Sequence, residues 1–516
     1  MADDNAPTTD ETAKAAEQIP RRRRMRWWGW LLTILGTLVC LAVSAWFGWG
    51  YAGQKRLDEL VAEIRSRGEP LDWKDLAEPP VPADQNAVPL YLEACRKLKS
   101  PGGPFRRADV ERFEDMLNDL CGNPTFRREH AADVTAGLRM LAEALVSVRQ
   151  ASTRPGVDWG FDYSDGAKSR YPFSLSDVIA LDRGIVLAGI ATHEAGDDAE
   201  ALARLHEALA FSRTVDGIHN LMGALVAAGC YRAAATGIEQ VLPDLRIGSA
   251  PGASREQVRS LSLELLDVEP FRQGFIRAFL AERCSARDDF RRVRNGNDSS
   301  YAGKRPSPWL FAPALNWDEL WSMHLLTALV EAAKAPTWPD AANRLNEGPD
   351  TYEEFEKYTR GYDPWFQPLY RPVTFMVCPI IANTHEAHFA QVANLRMAAT
   401  ALAMRLYEVE KGRPASGLAD LVAGGYLKAV PADPFSDKGE PIRYKAGPKQ
   451  PLLYSVGKNG LDEGGAFTLD ADGGVDKDSP DIVFFLHGDR PAGKVKWKPP
   501  ATSPATRTGP LNKTKE

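Results

Sequence analysis

The stretch QVANLRMAATALAMRLYEVEKGRPASGLADLVAGGYLKAVPADPFSDKGEPIRYKAGPKQPLLYSVGKNGLDEGG, residues 391–465, decides how the C-terminal end of this chain is read. Val392, Leu395, Ala399, Leu402, Leu406 and Val409 recur at intervals of three and four, which predicts a helix with one apolar stripe suited to lie on a sheet. Gly412 and Pro414 stop that helix, and the chain then turns repeatedly, at Asp433-Pro434-Phe435, Asn459-Gly460 and Gly464-Gly465. Short strands are predicted at 442–445, 452–456 and 482–486, with Asn459-Gly460 as a tight-turn pair.

Upstream of this stretch the helical signal is almost unbroken from Asn86 to about Leu345. Ala, Leu, Glu and Arg dominate segments at 87–98, 108–120, 128–150, 176–195, 199–214, 218–241, 255–266, 271–294, 317–335 and 339–345. Between 295 and 317, and again at 361–372, Pro and aromatic residues replace the helical period. Trp309, Phe311, Trp317, Tyr362, Trp365, Phe366 and Tyr370 either line a groove for a glycan or peptide or plug the ends of helices.

The N-terminal end sets the compartment. Residues 27–51 carry no charge and suffice to cross ~30 Å of hydrocarbon at ~1.5 Å per residue. Trp27, Trp28 and Trp30 stand at one end and Trp46, Trp49 and Tyr51 at the other, as interfacial aromatics do. Arg21 to Arg24 and Arg26 precede the span and only Lys55 and Arg56 follow closely. That bias predicts a cytoplasmic N-terminus and residues 52–516 outside, in the periplasm of a bacterial inner-membrane protein. A cleaved signal peptide, with Val43-Ser44-Ala45 as its small-residue site, is the rival reading; the apolar run continuing through Trp46, Phe47 and Trp49 favours the anchor.

At 516 residues, 44% hydrophobic and 26% charged, the chain has the composition of a globular protein of two or three domains. Its net charge of −6 argues against a general nucleic-acid binder, which needs a basic face. Cys40, Cys95, Cys121, Cys230, Cys284 and Cys378 form no C-x-x-C pair, so they read as buried thiols, with one or two disulfides open as an alternative. Residues 1–26 and 489–516 are expected to be disordered tails, and the proline-dense 68–85 an extended linker or an arm along the protein wall.

Chemistry-bearing motifs are few. His385-Glu386-Ala387-His388 puts two histidines on one helix face, where a metal is one reading and a solvated helix N-terminus the other. The spacing of three departs from the four that zinc proteases use. No nucleophile elbow, phosphate loop or dinucleotide fingerprint is present. Asp462, Glu463, Asp470, Asp472, Asp476, Asp478 and Asp481 crowd onto Gly-rich loops, a hard-oxygen set of the kind Ca²⁺ selects, or else a solvated acidic loop; the EF-hand pattern is not met.

Two resemblances follow from these residues. About a hundred residues at the C-terminal end resemble the soluble body of the major pseudopilin of bacterial type II secretion systems. The resemblance is carried by Gly412-Arg413-Pro414, Gly425-Tyr426-Leu427, Asp433-Pro434-Phe435, Tyr454-Ser455-Val456-Gly457, Asn459-Gly460, Asp462-Glu463-Gly464-Gly465 and Asp481-Ile482. It implies a long helix on a small antiparallel sheet and a calcium-stabilised loop, with Asp462, Asp478 and Asp481 as ligands. The span lacks the Glu that a pseudopilin carries five residues into its membrane helix, and a long helical stretch separates anchor from module. The module is therefore expected to be borrowed, and the chain not to be a filament subunit. Residues 182–215 resemble a single tetratricopeptide repeat, with Gly189, Ala201 and Ala208 at the small-residue positions.

The expected build is mainly α: a single transmembrane helix at 27–51, a helix extension and linker at 52–85, an α-helical periplasmic domain at 86–380, and a small α+β pseudopilin-like module at 381–488. The expected role is non-catalytic binding or scaffolding, with a protein partner on the helical domain. A metal-dependent envelope enzyme and a secretion-system accessory protein are the alternatives.

Overall fold

A computed structural model describes residues 21–100, 106–163, 173–248, 250–295, 308–346, 384–447 and 450–498; side chains are described from Trp27 onward, except at 308–310. Cys378 and the aromatics Tyr362, Trp365, Phe366 and Tyr370 lie outside the described residues.

The protein is mainly helical. Helix α1 (Arg21–Ser66) runs without a break from inside the expected tail, through the uncharged span and on into the extension. From Trp27 to Val43 its large apolar side chains are exposed. Its length and composition suffice to cross a membrane, and the apolar window is 0% buried. The helix Leu221–Val241 passes the same composition test, but 67% of its window is covered by other helices, the position of a core helix.

Helices α2 (Val88–Lys99), α3 (Arg107–Gly122), α4 (Pro124–Glu129), α5 (Ala131–Ser152), α6 (Leu175–Glu194), α7 (Asp198–Val215), α8 (Leu221–Val241), α9 (Arg255–Leu266), α10 (Glu269–Arg294), α11 (Pro308–Ala333) and α12 (Trp338–Leu345) come next; apart from the short α4, which no expected segment covers, and the start of α11, they follow the sequence segments closely. Starts are set by caps. Asp197 accepts from the Glu200 amide at 3.1 Å, Asn220 from Gly223 at 2.8 Å, and Ser254 forms a capping box with Gln257. The α6–α7 hairpin closes tightly where Gly189 faces Leu205 and where Ala201 and Ala208 are fully buried.

Helix α11 begins nine residues before the expected segment at 317, with Pro313 inside it. It lies parallel to α1. Near its start Pro313 abuts Gly50, where a Cβ would stand 2.6 Å from the proline, and Trp317 abuts Gly53. Near its end Lys334 holds Glu69 at 2.5 Å. Between these points Leu57 and Ile64 pack with Leu320 and Met323. Asn316 donates to the Gly50 carbonyl (3.1 Å) and the Trp317 indole to that of Trp49 (2.9 Å), while the Trp49 and Trp317 rings stack at 5.6 Å. The proline-dense arm after α1 hugs the protein: Glu69 pairs with Arg283, Asp72 with Arg291, and Glu78 with Arg277.

Helix α13 (Thr384–Lys411) and strands β1 (Arg443–Lys445), β2 (Leu452–Ser455) and β3 (Ile482–Phe485) occupy the C-terminal end. The strands make an antiparallel sheet in the order β1-β2-β3, with Leu453 opposite both Tyr444 and Phe484. The single apolar stripe expected of α13 is too narrow a description. The helix is buried on nearly every side from Thr384 to Tyr407, because it is clasped between the sheet and helices α8 and α9. One core runs through Val258 and Leu261 of α9, Leu402 of α13 and Leu453 and Phe484 of the sheet. The expected boundary at 380/381 lies outside the described residues; α9 and α13, on its two sides, share that core, and Ser262 donates to the Ala399 carbonyl at 2.9 Å. Residues 489–498 are not a free tail either. The Lys496 and Trp497 amides donate to Asp119, Trp497 packs on Phe126 and His130, and Arg490 pairs with Glu239. Among the described residues the cysteines are free: Cys40 is exposed, and Cys95, Cys121, Cys230 and Cys284 are buried.

Candidate functional site

The motifs singled out in the sequence are mostly structural. His385 and His388 are not solvated: each is 3% exposed, inside a stack of phenylalanines. His388 lies flat between Phe275 (4.2 Å) and Phe271 (4.4 Å), and His385 faces Phe279 at 4.6 Å while bonding the Leu329 carbonyl at 2.9 Å. Burial pushes the imidazoles down to about 4 for His385 and about 3 for His388, so both are neutral at physiological pH. No three His, Cys, Asp or Glu side chains gather around a possible metal among the described residues.

The Asp-Pro-Phe turn is a staple. Asp433, 1% exposed, accepts from the Ser455 hydroxyl (2.6 Å) and from the Val456 (2.9 Å) and Phe435 (3.0 Å) amides, and meets Arg443 at 3.4 Å. It thereby ties the turn to the end of β2. Gly457, at φ +62°, follows because a Cβ there would meet the Pro480 carbonyl at 2.4 Å.

The three acidic residues implied as calcium ligands have different surroundings. Asp462 is held by Arg443 at 2.9 Å and by the Tyr454 hydroxyl at 3.1 Å. Asp478 is exposed, with Lys458 at 4.0 Å. Asp481 is fully buried; its Oδ2 accepts from the Gly465 and Ala466 amides, and its Oδ1 has no partner. Burial raises its carboxyl above the usual range despite those two amides.

A different place has the character of a site. Four segments distant in sequence converge on a cleft of about 670 Å³: the arm at 77–80, the loop 157–163 after α5, the α7–α8 turn, and the first turns of α10. The loop is fixed by Asn86, which donates to the Asp158 carbonyl (2.8 Å) and accepts from the Asp158 amide (3.1 Å). Its aromatic wall is fixed as well: the Trp159 indole donates to the Thr214 carbonyl at 2.9 Å and its ring packs on Phe173 at 4.4 Å.

Into this cleft project a paired Tyr163 and His219, hydroxyl to Nδ1 at 2.9 Å, and an ion pair of Glu78 and Arg277 at 2.9 Å. Burial pushes Tyr163 up to about 12, helped by Glu78 and Asp158. Burial holds His219 below its ordinary value, against the pull of Glu78. The pair is therefore uncharged at neutral pH and offers both a donor and an acceptor. Asp216, behind the turn, is pushed up to about 8 by burial, although the Tyr231 hydroxyl donates to it at 2.6 Å. A carboxylic acid that stays protonated near neutrality can donate a hydrogen bond.

Volume, aromatic wall and a few convergent polar groups are the features of a small-molecule pocket. The sequence gives little warning of it. The alternation Trp159-Gly160-Phe161-Asp162-Tyr163 and the turn Asp216-Gly217-Ile218-His219 are its traces, and nothing local joins them. Comparison with family models, with curated proteins and with solved structures finds no match to this chain.

Proposed function

We propose that this chain is a membrane-anchored binding protein of the bacterial envelope. On this reading α1 crosses the inner membrane with the basic residues Arg21 to Arg24 on the cytoplasmic side, and the helical body lies in the periplasm. The observation that carries the binding role is the cleft, where the Tyr163–His219 pair and the Glu78–Arg277 pair face one cavity beside a fixed aromatic wall. The helical surfaces around it are offered to a protein partner, and the role is scaffolding or capture with no chemical step.

Helix α13 on the three-stranded antiparallel sheet supports the pseudopilin-like reading of the C-terminal end, used here as a packing unit fused into the helical core. The calcium expectation rests on Asp481, whose buried Oδ1 is unpartnered; Asp462 and Asp478 join it at an ion only by leaving Arg443 and Lys458. A secretion-system accessory role is the extension of this reading, tested by whether crosslinking in membranes recovers secretion components.

An enzyme is the second reading, and Asp216 is the observation that favours it. A protonated acid and a neutral histidine three residues apart beside one cleft are a general acid and a general base in kind. The metal-dependent version that uses His385 and His388 has no support from their phenylalanine cage.

The experiment is a thermal-shift screen of the detergent-solubilised full chain against fractionated small molecules of an envelope extract. Stabilisation that Arg277→Ala abolishes supports the binding reading. Stabilisation unchanged in Arg277→Ala, or by no fraction, removes the cleft as its basis. Turnover of a stabilising compound would replace binding by catalysis.

A further inference from the structure

The parallel pairing of α1 and α11 has a consequence at the membrane end. We propose that the start of α11, residues 308–317, lies in the headgroup layer of the bilayer that α1 crosses and forms a second, lateral contact with lipid. This rests on the anchor reading of α1 and goes beyond it.

The register fixes the level. Pro313 abuts Gly50 and Trp317 abuts Gly53, so the first turn of α11 stands roughly level with Ala45 and Trp46, the outer end of the uncharged span. α10 descends beside α11 in the opposite sense, since Arg272 bonds the Lys334 carbonyl at one end and Arg294 pairs with Glu319 at the other. Among the described residues, the end of α10 and the start of α11 are thus the membrane-proximal tip of the body.

The composition fits that level. Residues 308–317 carry no charge, and the first charged side chain, Asp318, is 1% exposed. A helix that starts in water favours Asp or Glu in its first turn, and α11 has none. Phe311, Ala312 and Ala314 are only partly covered by protein. They continue the band formed on α1 by Phe47 (43% exposed) and Trp49 (42% exposed). Trp317 closes the band on its polar side, its ring stacked on Trp49 and capped by the Arg56 guanidinium at 5.2 Å. Indole rings with one apolar and one polar end concentrate at that depth.

The test places one environment-sensitive nitrobenzoxadiazole label in the full chain, in a Cys40→Ser, Cys378→Ser background whose other thiols are buried. The protein is reconstituted into phosphatidylethanolamine–phosphatidylglycerol vesicles carrying a nitroxide either at the headgroup or deep in the acyl chain. Phe311→Cys carries the reporting label, with Ala314→Cys as its substitute should that variant fail to assemble. Val39→Cys reports the span and Leu461→Cys, at a site 63% exposed on a distant loop, reports water. The proposal expects a blue-shifted label at 311, quenched more by the headgroup nitroxide than by the deep one. It expects the reverse order at 39, and no quenching at 461. Quenching at 39 with none at 311 overturns the proposal and leaves the anchor standing, as does a blue-shifted 311 label that neither nitroxide reaches, the mark of a covering protein surface. Stronger quenching of 311 by the deep nitroxide overturns the headgroup placement. No quenching at either 39 or 311 overturns the anchor reading, and the proposal with it.

Discussion

Replacing His388 by Phe should make the protein less sensitive to acid, by an amount that follows from the buried imidazoles. Unfolded, each histidine takes a proton near 6.5; folded, burial delays that proton to about 4 for His385 and about 3 for His388. The unfolded state therefore binds more protons in the window between, and stability is complete above 6.5 and falls as the pH drops through it. At about pH 5, roughly 1.5 units below the unfolded value, each histidine has cost about 2 kcal/mol. That figure does not depend on how far under 5 the folded values lie. The wild-type pair thus loses about 4 kcal/mol, and His388→Phe retains only the share of His385, about 2 kcal/mol. Phenylalanine also suits the slot between Phe271 and Phe275 and removes a buried Nδ1 that has no partner. The assay is the urea midpoint of both proteins at about pH 7.5 and about pH 5, read as a double difference so that other titrating groups cancel. A double difference near zero would refute the reasoning. So would zinc-dependent stabilisation of the wild type that the variant loses, because that would make the pair ligands.

Two further outcomes follow from the C-terminal end. Asp433→Ala leaves the Ser455 hydroxyl and the Val456 and Phe435 amides without their buried acceptor and should cost about 3–5 kcal/mol, with Asp433→Asn milder; unchanged melting of the Ala variant would sink the staple assignment. If the acidic loops close on calcium, adding the ion raises the melting temperature and Asp481→Asn abolishes the rise, whereas equal melting with and without calcium removes the metal assignment.

What the sequence made legible was local. Periodicity located α2, α3, α5 to α10 and α12 closely but not the short α4, and β-branched or aromatic runs between turn pairs located all three strands. The narrow stripe read on α13 failed for a physical reason. The small residues Ala393, Ala398, Ala399, Ala401 and Ala403 let helices and sheet approach it from every side, and alanine carries little periodic signal of its own. The start of α11 was hidden by Pro308, which reads as a breaker although a proline at the first helical position costs no hydrogen bond, and by Pro313, which the helix carries in its interior. The cleft was invisible because Glu78, Tyr163, His219 and Arg277 come from four segments that only tertiary packing unites. Conversely, His385-Glu386-Ala387-His388 looked like chemistry because polar residues at helical spacing cannot announce that phenylalanines from another helix will enclose them.

The docking of α10 and α11 onto the emerging end of α1 also makes the body a ruler. Arg294 sits at the tip beside Asn316, which is bonded to Gly50, and Arg277 stands seventeen residues further up the same helix, roughly 25 Å away. On the anchored reading, the mouth of the cleft is held at that stand-off from the lipid by an unjointed rod. Whatever occupies it has to be free in solution or presented by a partner tall enough to reach, and a headgroup still embedded in the same leaflet is out of range.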